Sequence, residues 1–410
     1  MNDQSIALYR QVGSVFTPGS PVNERDLFAG RIDQFAKIMD ATSQRGYHAV
    51  LYGDRGVGKT SLANVISNAL RASGDWIVPR VNCDASDNFS TLWRKALRDI
   101  LVSRSKPGMG FGADDIKESQ SLVDQLPQTL MPDDIRRCLE NLAKGAVLLV
   151  VFDEFDRIVD KDVTLLMADT IKSLSDFGIN ATVLIVGVAD SVDQLIEGHQ
   201  SIERALIQIP MPRMSADEIR LIIRNGLKRL SMDINSGAMG EIVSLSQGLP
   251  YITHMIALHS ARAAINDDRR SINATDVDTG IGKSLDQWQQ SMVVAYNDAI
   301  TSSQPDNIYK EVMLACALAA TDELGYFSAA AVRAPLREIT GREYDIPNFA
   351  QHLKNFSEAG RGEALQRVGQ TRRIRYRFSS PLMRPYVIMR GVATGLITRR
   401  KLQVLGNLKP

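Results

Sequence analysis

The stretch His48–Ile66, HAVLYGDRGVGKTSLANVI, leaves few folds open to this chain. An apolar run from Ala49 to Tyr52 enters a loop holding Gly53, Gly56 and Gly58, and a helical pattern (Leu62, Val65, Ile66, Ala69, Leu70) leaves it. The loop reads G-x-x-x-x-G-K-[ST], with Gly53, Gly58, Lys59 and Thr60 in the fixed places. Strand, glycine loop and helix in that order let backbone N–H groups wrap a polyphosphate without Cβ clashes and aim a helix N-terminus at it. Lys59 is expected to reach the β- and γ-phosphates and Thr60 to ligate Mg2+, with Asp54, Arg55, Val57 and Ser61 completing the loop. ATP and Mg2+ are the expected cofactors.

Such a loop demands an acidic partner, and Val147–Ile158, VLLVVFDEFDRI, supplies one. The apolar run Val147–Phe152 predicts a strand buried on both faces, as a parallel α/β sheet requires, with Asp153 and Glu154 at its end. The first carboxylate is expected to hold Mg2+ through water, the second to orient and deprotonate the attacking water of an ATP hydrolysis. Ala181–Val188, ATVLIVGV, predicts another strand of the same kind, ending at Ala189-Asp190-Ser191. Trp76–Val81 reads as a strand ending at Asn82, and Thr91–Val102 as a helix. Residues 103–132 lose periodicity around Pro107, Gly108, Gly110 and Gly112 and are expected to be disordered.

Downstream, Ser215 and Glu218 form a capping-box pattern that opens a helix, and 213–285 reads as a small helical lid. One long helix is expected over Ala274–Ile300, with a hinge at Ser302–Pro305. Helical patterns at Ile308–Ala320, Ser328–Thr340 and Pro347–Ala359, then extended segments Ala364–Val368 and Arg373–Ser379, predict a winged helix. Arg373, Arg375 and Arg377 alternate with Ile374, Tyr376 and Phe378, which puts the arginines on one strand face where, with Arg372 in the preceding turn, they can meet duplex phosphates.

Composition agrees with two or three ordinary globular domains: 410 residues, 44% hydrophobic and 23% charged. The net charge of +1 hides an asymmetry: Pro347–Pro410 carries thirteen Lys and Arg against two acids, a net +11 that leaves −10 on the preceding residues. Cys83, Cys138 and Cys316 are far apart and lie in apolar patterns, which predicts buried thiols and no metal beyond Mg2+. The polar start MNDQSIALYRQ and the lack of a long apolar run predict a cytoplasmic protein without membrane contact.

Taken together, Phe28-Ala29-Gly30-Arg31, the two phosphate-site motifs (Walker A and Walker B), the lid and the winged helix resemble AAA+ ATPases of the origin-recognition replication-initiator type, over roughly residues 13–390. The resemblance implies an α/β P-loop NTPase with a parallel sheet, in which the Ala181–Val188 strand inserts between the two motif strands, followed by an α+β winged-helix domain. It implies that Gly30 and Arg31 hold adenine and that Ser191 contacts the γ-phosphate or the lytic water. It further implies that Arg204 reaches the γ-phosphate of a neighbouring subunit, that the chain forms a homo-oligomer on ATP binding, and that nucleotide state controls binding to double-stranded DNA. Gly248-Leu249-Pro250 resembles instead the G-x-P turn of STAND ATPases, and Tyr251 stands where the initiators usually have a basic sensor residue. A STAND-like signalling or phage-defence switch, whose winged helix contacts a protein effector, is the alternative. The expected division is 1–212 for the nucleotide-binding core, 213–285 for the lid, 286–304 for a linker, 305–392 for the winged helix and 393–410 for a basic tail.

Overall fold

The computed structural model describes residues 3–21, 30–106, 116–190, 192, 195–196, 202–304, 306–322, 324–369 and 373–407. Helix α1 (Asp3–Val15) opens the chain, and α2 (Ile32–Ser43) precedes the first strand. Two units follow from the distribution of contacts: one is Val22–Asp54 with Lys59–Met211, the other Met1–Pro21, Arg55–Gly58 and Pro212–Pro410.

The first unit is built on a six-stranded parallel sheet. Its strands are β1 (His48–Gly53), β2 (Trp76–Ile77), β3 (Arg80–Asn82), and, after a separate hairpin of β4 (Leu101–Lys106) and β5 (Ile116–Ser121), β6 (Val147–Asp153), β7 (Ala181–Val188) and β8 (Leu206–Pro210). The order is β2-β6-β7-β1-β8, with β3 also beside β6, so β7 does lie between the strands that carry the two phosphate-site motifs. Helices α3 (Lys59–Ala72), α4 (Phe89–Leu97), α5 (Pro132–Leu142) and α6 (Lys161–Asp176) connect them. Because the central strands are covered on both faces, Leu148–Phe152 and Val183–Val186 are solvent-free, which is why they read as unbroken apolar runs. The register pairs Asn82 with Asp153 and Gly53 with Val188, so the motif residues leave the sheet at the same carboxyl edge.

Several local expectations are corrected. The strand expected over Trp76–Val81 is two short pieces, since Pro79 has no N–H to give and only its carbonyl bonds to β6, from Val151 N at 3.0 Å. The helix expected over Thr91–Val102 starts at an Asn88–Thr91 capping box and stops at Leu97. Beyond it, β4 and β5 pair antiparallel where disorder was expected; Leu122 and Leu130 lie in the core, and 107–115 fall outside the described residues.

In the second unit, α7 (Ala216–Arg229), α8 (Ser236–Ser246), α9 (Pro250–Asn266) and α10 (Ala274–Asp286) form the helical bundle, with α1 lying on α9. Strands β9 (Asp233–Ile234) and β10 (Ser271–Ile272) tie its loops. The Ser215–Glu218 box is reciprocal: Glu218 N donates to Ser215 Oγ at 3.2 Å and Ser215 N to Glu218 Oε2 at 2.8 Å. The long helix expected over Ala274–Ile300 is broken: α10 ends at Asp286 and α11 (Gln290–Ile300) begins after the buried Trp288. Then come α12 (Tyr309–Leu318), β11 (Phe327–Ser328), α13 (Ala329–Thr340), α14 (Ile346–Asn355), β12 (Leu365–Val368) and β13 (Arg375–Phe378), a winged-helix-like arrangement with strand order β11-β13-β12. Helix α15 (Met383–Ala393) packs on α12, and its buried Arg384 donates to the Ala317 carbonyl at 2.7 Å and the Ala319 carbonyl at 2.9 Å, at the C-terminus of that helix. Within the segment expected as a basic tail, Arg399–Asn407 form α16, tied to the bundle by Arg399 and Glu241 at 2.7 Å.

The buried His48 on β1 accepts a hydrogen bond from Val183 N at 3.0 Å through Nδ1, and burial pulls its pKa down from 6.5 to about 3. A folded-state pKa below the unfolded one means the unfolded chain takes up the proton first, so this stabilisation is complete above pH 6.5 and is lost as pH falls from 6.5 toward 3. At pH 5 the loss from this one group comes to about 2 kcal/mol. His48→Gln, which keeps an acceptor for Val183, should flatten the pH dependence of the denaturation midpoint of this unit between pH 7 and 5.

Candidate functional site

The site grows from the carboxyl edge of the parallel sheet. Gly53 ends β1 with φ +148°, and a Cβ there would meet the Met211 carbonyl at 2.5 Å, so only glycine lets the chain turn at this point. Gly56 and Gly58 also have positive φ, +84° and +96°, and α3 begins directly at Lys59. The Lys59 ammonium is buried and donates to two carbonyls of its own loop, Gly53 O at 2.9 Å and Asp54 O at 2.8 Å. Those bonds tie Lys59 back to the loop that leads into α3, whose first N–H groups have no partner within the helix.

Across the sheet edge, Thr60 Oγ1 donates to Asp153 Oδ1 at 3.3 Å, joining the two motifs. The same oxygen accepts from Glu154 N at 2.9 Å, and Oδ2 accepts from Arg80 at 2.7 Å. Asp153 is 3% exposed, which makes this a desolvated carboxylate. Glu154 has a left-handed backbone, φ +55°, a conformation a non-glycine residue adopts only when its surroundings enforce it. Its carboxylate is half-exposed and pairs with Arg157 at 2.8 Å. Asp156 accepts from Val188 N at 2.7 Å and so fixes the tip of β7 against the Asp153–Glu154 turn. Beyond Asn82, Lys95 bridges Asp84 at 2.8 Å and Asp87 at 2.7 Å.

Thr60 and Asp153 offer hard oxygen donors, and among the described residues no group of three His, Cys, Asp or Glu could make an all-protein cage. That donor set fits Mg2+ with a shell completed by phosphate and water oxygens. Burial pushes the thiols of Cys83, Cys138 and Cys316 up, Cys138 to about 11, which disfavours the thiolate at each.

The remaining expected residues are placed as follows. Gly30 and Arg31 both have positive φ, and Arg31 is buried, its carbonyl accepting from Phe35 N at 2.9 Å at the start of α2. Arg204 stands on a single turn, Glu203–Ala205, with its side chain 86% exposed and 3.9 Å from Asp176. On the wing, Tyr376 and Phe378 are buried and Arg373 and Arg375 exposed, the expected alternation. Arg375 pairs with Asp322, Arg377 donates to Gln366 Oε1 at 2.7 Å, and both guanidiniums lie over the Tyr326 ring, 5.3 and 4.9 Å from its centroid. Phe28, Ala29, Ser191 and Arg372 lie outside the described residues. Arg80 was missed: nothing local marks it, and its role depends on β3 lying beside β6.

Residues 27–186 match the model of the AAA ATPase domain, a stretch that holds the phosphate loop and most of the parallel sheet. The fold is similar to that of a Walker-type ATPase of Pyrococcus abyssi, at 14% identity and a TM-score of 0.51, covering 91% of this chain and 99% of that one. The ORC2 protein of Aeropyrum pernix aligns at 15% identity and a TM-score of 0.48 over 96% and 98% of the two chains. The ORC1 protein of the same organism, solved in complex with DNA, aligns at 12% identity and a TM-score of 0.46 over 93% and 97%. No curated protein matches the chain. No helix among the described residues is long and apolar enough to cross a membrane.

Gly53 and Gly56 provide a graded test of the loop. Ala at 53 must displace the Met211 backbone, whereas Ala at 56 meets only the Leu382 and Tyr251 side chains at 3.5 and 3.6 Å. Gly53→Ala should cost roughly 2–4 kcal/mol of stability and Gly56→Ala about 1 kcal/mol, measured by chemical denaturation.

Proposed function

We propose that this protein binds and hydrolyses Mg2+–ATP and uses its nucleotide state to control self-assembly and binding to double-stranded DNA through the C-terminal winged helix. The observation that carries the nucleotide part is the bond at 3.3 Å between Thr60 and Asp153, 93 residues apart in sequence, with Lys59 on the adjoining loop. Once phosphates compete for it, the Lys59 ammonium exchanges the Gly53 and Asp54 carbonyls for phosphate oxygens, and the N-terminal N–H groups of α3 face the same charge. Bound ATP and Mg2+ supply the transferable phosphoryl group and the charge neutralisation around it. Glu154, turned out of the strand by its backbone, orients the attacking water and takes up its proton when its carboxylate leaves Arg157. In this reading Gly30 and Arg31 hold the base, Ser191 senses the terminal phosphate, and the exposed Arg204 serves the site of a second subunit.

Lys59→Ala should weaken binding of a fluorescent ATP analogue by about 100-fold, the loss expected for a charge-assisted hydrogen-bond donor. Glu154→Gln should keep that affinity and lower turnover by roughly 100- to 10,000-fold. Unchanged ATP binding in Lys59→Ala would overturn the assignment.

The DNA part is supported by the net +11 of Pro347–Pro410 and by the wing arginines on one strand face. Residues Asn348, Gln351 and Lys354 are exposed on α14, the element that enters the major groove in helix-turn-helix proteins. Replacing Arg373, Arg375 and Arg377 together by Ala should reduce the slope of log affinity against log salt by about 2 to 3, because each phosphate contact contributes roughly 0.9. Tyr376 and Phe378 are buried and keep the wing folded in that variant. Identical slopes would favour the second reading, a nucleotide-gated switch with a protein effector. Tyr251 after the Gly248-Leu249-Pro250 turn and the Arg375–Asp322 pair speak for that reading.

A further inference from the structure

Asp153 is a buried carboxylate with a cation already on it. Arg80 lies on β3, paired with Val151 of β6, and its guanidinium meets Asp153 Oδ2 at 2.7 Å with 21% of the side chain exposed. The other oxygen is taken by Thr60 Oγ1 and Glu154 N. A carboxylate this far from water requires compensation, and of its donors only Arg80 brings a full positive charge. Lys59, a cation of the phosphate loop, is engaged with its own loop. The Arg80 Nε, by contrast, is buried without a hydrogen-bond partner, so the guanidinium is only partly satisfied in this position.

Resting on the nucleotide reading above, we propose that Arg80 is a built-in counter-ion that holds the metal-side carboxylate when no nucleotide is bound and must be displaced for Mg2+ to load. Thr60 and the Glu154 amide already hold Oδ1, so the water shell of a Mg2+ ion would reach Asp153 at Oδ2, the oxygen that Arg80 holds. A singly charged guanidinium and a divalent ion within a few ångströms repel each other strongly in a desolvated site, so the two exchange rather than share Oδ2. Arg80 therefore raises the Mg2+ concentration at which the site fills. It acts through Asp153 as a positioning residue, and it leaves Mg2+-free nucleotide binding, carried by Lys59 and the loop, untouched.

The test is a Mg2+ titration of the full chain at a fixed concentration of a fluorescent ATP analogue, with Mn2+ binding in the absence of nucleotide, read by electron paramagnetic resonance, as a second measurement. Arg80→Gln should lower the Mg2+ concentration for half-saturation roughly tenfold, the size of one competing charge-assisted bond, and tighten Mn2+ binding alike. Arg80→Lys, which keeps the charge but not the planar geometry, should fall between Gln and wild type and carries the decision if the Gln variant does not fold. An unchanged or higher Mg2+ requirement in folded variants, with Mg2+-free binding intact, would overturn the inference while leaving the nucleotide reading in place. Wild type that binds no nucleotide with or without Mg2+ would remove that reading and the inference with it.

Discussion

A single desolvated negative charge organises the sheet edge. Asp153 sits at the end of a strand whose other residues are apolar, and leaving its charge without partners there would cost several kcal/mol. The neighbouring chain segments converge on it: Thr60 from the first turn of α3, Arg80 from β3, the Glu154 amide from the following turn, and Cys83 N on its own backbone carbonyl at 2.8 Å. The left-handed Glu154 then turns the chain away from the strand directly after that amide.

How far this could be read from sequence depends on whether a feature is local. The runs Val147–Phe152 and Ala181–Val188 announce buried parallel strands because both faces need apolar side chains, and Ser215-x-x-Glu218 announces a helix start because both partners lie within one turn. The β4–β5 hairpin is hidden: LVSRSK and IKESQS are too polar to show a two-residue period, and their pairing is set across nine intervening residues. The break at Trp288 is hidden too, since Gln287-Trp288-Gln289 has no Gly or Pro to mark it and the indole is buried between the two helices' ends. Motif spacing singles out Lys59, Thr60, Asp153 and Glu154 as candidates. It could not reach Arg80, whose meaning arises from a strand pairing that joins positions 80 and 151.

Formal charge also misleads unless its partners are known. Of the basic residues beyond Pro347, Arg399 is held by Glu241 and Asp278, Arg375 by Asp322, and Arg384 is spent on helix carbonyls, where burial pulls its pKa down to about 9. The acidic partners Glu241, Asp278 and Asp322 all lie earlier in the chain, so part of the contrast between an acidic body and a basic end is cancelled within the fold. What is left for a polyanion is narrower than the +11 suggests, with Lys354, Arg367, Arg373 and Arg400 exposed and Arg375 reaching a phosphate only by leaving Asp322.

The position of β1 sets an order of events during synthesis. It carries the phosphate loop, yet its neighbours in the sheet are β7 and β8, with Ala49 opposite Leu184 and Ile207. When the loop leaves the ribosome, neither strand that will hold it has been made, and no local hairpin can stand in because every pairing of β1 is parallel and distant. The glycine loop therefore spends the translation of more than a hundred residues on a strand with open edges, exposed to wrong partners and to binding factors that cover apolar nascent segments. Synonymous codon changes that slow elongation between positions 54 and 181 would lengthen that interval without altering one residue of the finished site.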